Sequence, residues 1–229
     1  MARDAQPRQV GRPARISRDN IIDTVLEIGI DRATIAAVAE RLTVDPSTLY
    51  GHIKNRDDML GEAADRAIRQ ARWPQEAMTD WRTFLEAIAD RLWELYCNNS
   101  GLAQHLRSMP IAPPALLSRS AQIVTTLVEL FDIPLGEAAL VVDSVGDSVI
   151  DSFIFISQLD SKTNPDGPTM RDGALASLHE AMEAGVDEQL ADYITVLEEA
   201  LGQDGVPGDY WKDKIALILD GLTYRLEKL

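Results

Sequence analysis

The amino-acid sequence predicts an all-α protein, in which a small N-terminal set of short helices precedes a larger helical body. Apolar residues recur at three- and four-residue spacing in successive windows, and residues that cap helix N-termini precede most of those windows. No stretch alternates apolar and polar residues with period two between turn signals, as a half-buried strand would. With 229 residues, 45% of them hydrophobic, there is enough apolar material to bury a core.

Residues 1–16 contain Pro7, Gly11 and Pro13 and no periodic apolar pattern, as expected of a flexible basic arm. Ser17 is an N-cap, with Ile16 and Ile21 placed to form a hydrophobic staple. Ile21, Ile22, Val25, Leu26 and Ile28 then give one buried face that ends near Gly29. Thr34 caps a short second helix with Val38, Ala39 and Leu42 inward. Asp45, followed by Pro46 at a first helical position, opens a third helix to about His52 that offers only Leu49 and parts of Tyr50 and Ile53 to a core. Asn55 caps a fourth, whose apolar face runs from Met59 through Ile68 and ends near Trp73.

Beyond Pro74 the elements lengthen. Helices are expected over about 79–98, 101–107, 114–131 and 135–159, with a proline-rich turn at Pro110–Pro114 and a break at Ile133-Pro134. Ser161–Gly173 is dense in turn residues and is expected as a mobile loop. Helical patterns resume at 174–184, 187–202 and 208–228, and no internal repeat is present.

Charge is distributed unevenly. The chain carries 22 basic and 37 acidic side chains, a formal net charge of −15, which by itself argues against a nucleic-acid partner. Residues 1–56 nevertheless hold nine basic and seven acidic side chains, so the acidity lies in the remainder. Cys97 is the single cysteine, which excludes an internal disulfide or a CxxC metal pair. No apolar leader follows the N-terminus and no run is long enough to span a bilayer, so a cytoplasmic protein with no membrane partner is expected. Phosphate-loop, HExxH and GxSxG motifs are absent, and His52, His105 and His179 are far apart, so no enzyme, cofactor or metal site is expected.

The two short helices joined by Leu42-Thr43-Val44-Asp45 form a helix-turn-helix whose second helix is too short and polar to be structural on its own. The segments IIDTVLEIG, TIAAVAERL and VDPSTLYGHIKNRDDML resemble the DNA-binding domain of the tetracycline-repressor (TetR) family of bacterial transcriptional regulators, with LY-x-H-x-K-N-R as its mark. The resemblance covers residues 16–66 and is architectural beyond them. It implies a three-helix helix-turn-helix domain over 17–66 and a helical effector-binding and dimerisation domain over 67–229. The protein would then be a ligand-responsive regulator, most simply a repressor, that binds a palindromic DNA operator as a homodimer. A small molecule in the body would release it by changing the separation of the two reading heads. A helical protein-interaction adaptor with a non-functional helix-turn-helix is the alternative.

Carried onto this sequence, the resemblance implies that Thr34 caps the second helix against a phosphate and that Pro46, Ser47 and Thr48 face base edges and sugar. It implies that Tyr50 and His52 bond phosphates and that Arg56 joins its charge to a helix N-terminus on one phosphate, with Lys54 as a neighbour. Tyr50 could instead be half-buried against the first helix, and His52 a plain surface residue. The arm contains Gly11-Arg12-Pro13, a shape suited to a narrow minor groove, with Arg15 close behind; a solubilising tail is the bland alternative. Thr43 stands where the family usually has Gly, and Gly51 where a larger residue is common.

In the body, Val142, Gly146, Val149, Ile150 and Phe153 on one helix and Ile215, Ile218, Leu222 and Leu226 on the last are candidates for the dimer interface, or for ordinary internal packing. Trp81, Phe84, Trp93, Tyr96, His105, Met109, Phe131 and Phe153 are candidates to line an effector pocket, or to be core. A mostly apolar effector of unknown identity with a few polar anchors is expected. Asp143, Asp147 and Asp151 recur every fourth residue, as a solvated stripe or a cation site.

Overall fold

The computed structural model describes residues 16–74, 79–162, 164, 166–202 and 210–228. The chain divides into two compact units, Met1–Ala63 and Ala64–Leu229.

The first unit begins with the expected cap. The Ser17 side chain accepts from the backbone N–H of Asn20 while Asn20 returns a bond to Ser17, a reciprocal box that starts α1 (Arg18–Ile28). Ile21, Ile22 and Val25 turn inward and are fully buried or nearly so. Thr34 caps α2 (Ile35–Arg41) by accepting from Ala37 N–H at 3.0 Å. That helix closes in a way usually reserved for glycine. Thr43 takes a φ of +57°, Thr43 N–H reaches Glu40 C=O and Val44 N–H reaches Ala39 C=O. This pair of bonds is the Schellman closure, and a β-branched residue supports it under strain. The strain costs about 1–2 kcal/mol, more than the roughly 0.5–1 kcal/mol of extra chain entropy that glycine would lose. Thr43→Gly is therefore expected to stabilise this unit by about 0.5–1 kcal/mol, seen as a higher denaturation midpoint; a lower midpoint would refute the strain.

Asp45 caps α3 (Pro46–Leu49) through Ser47 N–H at 2.8 Å. The helix is a single turn, shorter than the expected run to His52, because Tyr50 and Gly51 leave it in turns closed by Gly51 N–H to Thr48 C=O and His52 N–H to Leu49 C=O. α4 (Arg56–Gln70) ends before Trp73, whose indole N–H instead donates to Ile68 C=O at 3.0 Å.

The second unit contains α5 (Trp81–Asn98), α6 (Leu102–Ser108), α7 (Pro114–Phe131), α8 (Leu135–Leu159), α9 (Met170–Glu183), α10 (Glu188–Leu201) and α11 (Tyr210–Leu226). α8 is central and packs against α5, α6, α7 and α11. Its apolar residues occupy every face, so neighbours decide which of them are interior: Ala138, Val141, Val145 and Val149 are buried. Trp93 stacks on Trp211 with ring centroids 4.5 Å apart, and Phe153 meets Trp93 edge-on at 5.2 Å, tying α5, α8 and α11 together. Asp65 is buried and accepts from Ala115 N–H at 2.7 Å, satisfying a donor in the first turn of α7.

α9 starts at Met170, inside the stretch expected as a loop. Thr169 and Asp172 form a capping box there, which Gly173 and Pro168 obscure in the sequence. Arg171 is buried and paired with Asp160 at 2.7 Å.

The faces assigned to dimerisation are partly consumed within the chain. Val149, Ile215 and Leu222 are buried within this unit, Leu222 at the floor of a surface groove, and Phe153 belongs to the aromatic cluster. Val142, Gly146 and Ile150 line a partly open cavity, while Ile218 and Leu226 stay half-buried. A methyl group built at Gly146 meets nothing within 4 Å, so this glycine serves no close helix approach within the chain.

Candidate nucleic-acid interface and ligand cavity

Leu49 is fully buried, while its neighbours Pro46, Ser47, Thr48 and Tyr50 are exposed. One apolar anchor therefore fixes a one-turn helix so that its polar residues face solvent. Tyr50, 57% exposed, is not packed against α1. Asp45 holds the first turn, and its carboxyl lies below the usual range because the Ser47 hydroxyl and N–H both bond it.

A residue singled out by sequence only as one more basic charge organises the rest. Arg18 on α1 donates to the His52 carbonyl at 2.7 Å, to Asp58 at 3.1 Å and to Glu62. It so fastens the turn after α3 to α1 and α4, with its own pKa raised chiefly by the Glu62 bond. The four-residue spacing of Asp58 and Glu62 on a helix was the available sequence signal.

His52 is half-buried, and its side chain sits beside that fastened turn. Lys54 is exposed, with its backbone N–H bonded to Asp58 at 2.9 Å. Asn55 caps α4 through Asp58 N–H. Arg56, the first helical residue, donates from Nε to Ala33 C=O at 3.0 Å, which orients the guanidinium at a helix N-terminus; no carboxylate among the described residues pairs with it. Thr34 is exposed, and its oxygen is already engaged as a cap, leaving its O–H to donate outward. Arg12 and Arg15 lie outside the described residues.

The second unit carries a partly open cavity of about 530 Å³, within the range of small-molecule sites. Of the aromatic and sulfur residues singled out from sequence, Tyr96 and Met109 line it. Phe84 is buried and borders a wider neighbouring cleft, where it packs 6.2 Å from Phe131; Trp93 and Phe153 are in the aromatic cluster. Trp81 and His105 are half-buried and lie off the cavity wall. α6 instead supplies Leu106 and Arg107, with Met109 just past its end.

The aspartate stripe is exposed but in part paired. Asp147 and Asp151 pair with Arg107 at 3.1 and 2.9 Å, clamping α6 to α8, and Asp143 and Asp147 face the cavity. No group of three potential metal ligands occurs among the described residues. Two arginines on the wall, Arg107 and Arg119, were missed by sequence reasoning because their surroundings come from helices distant in the chain.

No protein-family model matches the chain. It is 26% identical over 116 residues to an HTH-type transcriptional regulator of Saccharopolyspora erythraea, and the match spans about half the length of each, 49%. It is 25% identical over 206 residues to tetracycline repressor protein class A from transposon 1721 of Escherichia coli, covering 86% of this chain and 91% of that one. The fold is similar to that of the Streptomyces coelicolor TetR family protein ActR in complex with (S)-DNPA, with a TM-score of 0.72 and 17% identity over 92% of this chain and 98% of that one. No helix among the described residues is long and apolar enough to cross a membrane.

Proposed function

We propose, from the premise that this chain belongs to the tetracycline-repressor (TetR) family of transcriptional regulators, that it is a ligand-responsive repressor of the cytoplasm. It binds a palindromic operator as a homodimer and leaves it when a small molecule occupies the body. The observation that carries this reading is the one-turn helix α3, anchored by Leu49 and presenting Pro46, Ser47, Thr48 and Tyr50 outward. A helix so short has little packing role, and its exposed hydroxyls suit a DNA groove.

The roles divide by chemistry. Ser47 and Thr48 address base edges; Thr34, Tyr50, His52, Lys54 and Arg56 address phosphates, and Arg12 and Arg15 add charge from the arm. Self-association falls to the parts of α8 and α11 left open. Leu140, Leu217 and Tyr224 are 49%, 73% and 58% exposed, beside a shallow groove lined by Ile218 and Gly221. Ile218 and Leu226 remain in that surface.

A mobility-shift assay against DNA flanking the protein's own gene tests the reading. Tyr50→Phe and Arg56→Gln are expected to weaken all sequences about equally, by roughly three- to tenfold each, whereas Ser47→Ala or Thr48→Ala changes base preference. The absence of a salt-sensitive, sequence-selective shift by the unaltered protein would overturn it.

A further inference from the structure

The cavity carries a polarity pattern that restricts what can occupy it. The second unit is strongly acidic, and most of its arginines are neutralised: Arg69, Arg82, Arg91, Arg107, Arg171 and Arg225 each pair with a carboxylate, while Arg72, with which no carboxylate among the described residues pairs, is exposed on the adjoining cleft and off the cavity wall. Arg119 differs. It lies on the wall shared by the cavity and the adjoining cleft, and no carboxylate among the described residues pairs with it. Its guanidinium lies over the Trp73 ring, 5.0 Å from the centroid, and the bond from that indole to Ile68 fixes the ring in place. Stacking covers one face of the guanidinium and leaves its edge donors available for a planar anion. Partial burial disfavours the unpaired charge and lowers its pKa, a cost that an incoming anion would offset.

A second polar group points to the same occupant. Tyr96 is 4% exposed and lines the cavity, and no hydrogen bond among the described residues engages its hydroxyl. The phenol oxygen is not sealed off: it reaches the open space of the cavity, where a ligand acceptor can take its hydrogen bond in place of water. Between Tyr96 and Arg119 the wall is apolar, formed by Leu85, Ile88, Leu92, Leu116 and Ile123. At the α8 side, Asp143 and Asp147 would repel a second negative charge.

We infer that the effector is an apolar, largely planar organic monoanion, a carboxylate or its equivalent, whose charged group pairs with Arg119 over Trp73 and whose body fills the cavity beneath Tyr96. This rests on the ligand-responsive reading above and adds the ligand's chemical class and orientation. Arg107 does not fill the same role, because Asp147 and Asp151 already hold it.

The test uses the full chain and two fluorescent probes of one shape, 8-anilinonaphthalene-1-sulfonate and its uncharged counterpart N-phenyl-1-naphthylamine. Arg119→Gln is expected to weaken the sulfonate by about tenfold or more while leaving the neutral probe within about twofold. Arg119→Lys keeps part of the sulfonate affinity. Gly146→Trp, which fills the cavity from a position with free space, removes both probes. Unchanged neutral-probe binding shows that Arg119→Gln leaves the cavity folded. Equal weakening of both probes by Arg119→Gln, or no weakening of the sulfonate, would overturn the inference, as would probe binding that Gly146→Trp leaves intact. The same variants in the mobility-shift assay separate the two proposals: Arg119→Gln should still shift DNA, and failure of the unaltered protein to do so would sink the repressor reading while the probe result stands.

Discussion

Deleting residues 1–15 is expected to lower operator affinity by about ten- to a hundredfold at physiological salt and to flatten the salt dependence by roughly two to four units per bound subunit. The reason is electrostatic. That segment holds Arg3, Arg8, Arg12 and Arg15 against Asp4 alone, whereas residues 16–56 contain five basic and six acidic side chains. The positive character of the N-terminal part therefore resides in the arm, not in the helix-turn-helix itself. Of the five later basic residues, Arg18 and Arg41 are already paired with acids of the same unit. Without the arm, 18 basic and 36 acidic side chains remain, and general attraction to DNA disappears. Titrating a labelled operator at several salt concentrations measures both quantities. Unchanged affinity and an unchanged salt slope would exclude the arm from binding.

The largest effect on stability is expected at Trp211. It is 6% exposed and stacks face to face on Trp93, which in turn meets Phe153, so it completes a cluster that joins three helices. Trp211→Ala should cost about 3–5 kcal/mol, the range for emptying a large aromatic site. For a unit of this size that lowers the melting temperature by roughly 10 °C. Phe155, on the same central helix but 52% exposed, is the comparison; Phe155→Ala should cost under about 1 kcal/mol. Similar costs for the two would show that the stack contributes little. Because α8 and α11 also carry the open apolar surface assigned to self-association, Trp211→Ala should weaken the dimer as well, seen by sedimentation at low concentration.

Capping and periodicity made most helices legible. Ser17, Thr34, Asp45 and Asn55 each start a helix where the residue types say they should, because a cap is a matter of three or four consecutive residues. The start of α9 was masked by Pro168 and Gly173, whose turn preference is overridden by the Thr169–Asp172 box. The exposure of α3 was legible too, since a four-residue helix with one apolar side chain has one way to face. α8 was not. Its apolar residues surround the axis, so several stripes fit the period equally, and the stripe chosen from sequence, through Val142 and Gly146, borders the cavity.

The sequence alone determined the helical class, the caps, the exposed one-turn helix and the separation of a basic arm from an acidic body, because each is encoded in neighbouring residues or in composition. The tertiary structure decided which faces of α8 and α11 are interior, that Arg18 fastens the turn beside His52, that Arg107 is neutralised by Asp147 and Asp151, and that Arg119 is left open over Trp73. Those outcomes depend on partners 34 residues or more away in the chain, and periodicity carries no information about which of several apolar or charged faces such a partner will cover.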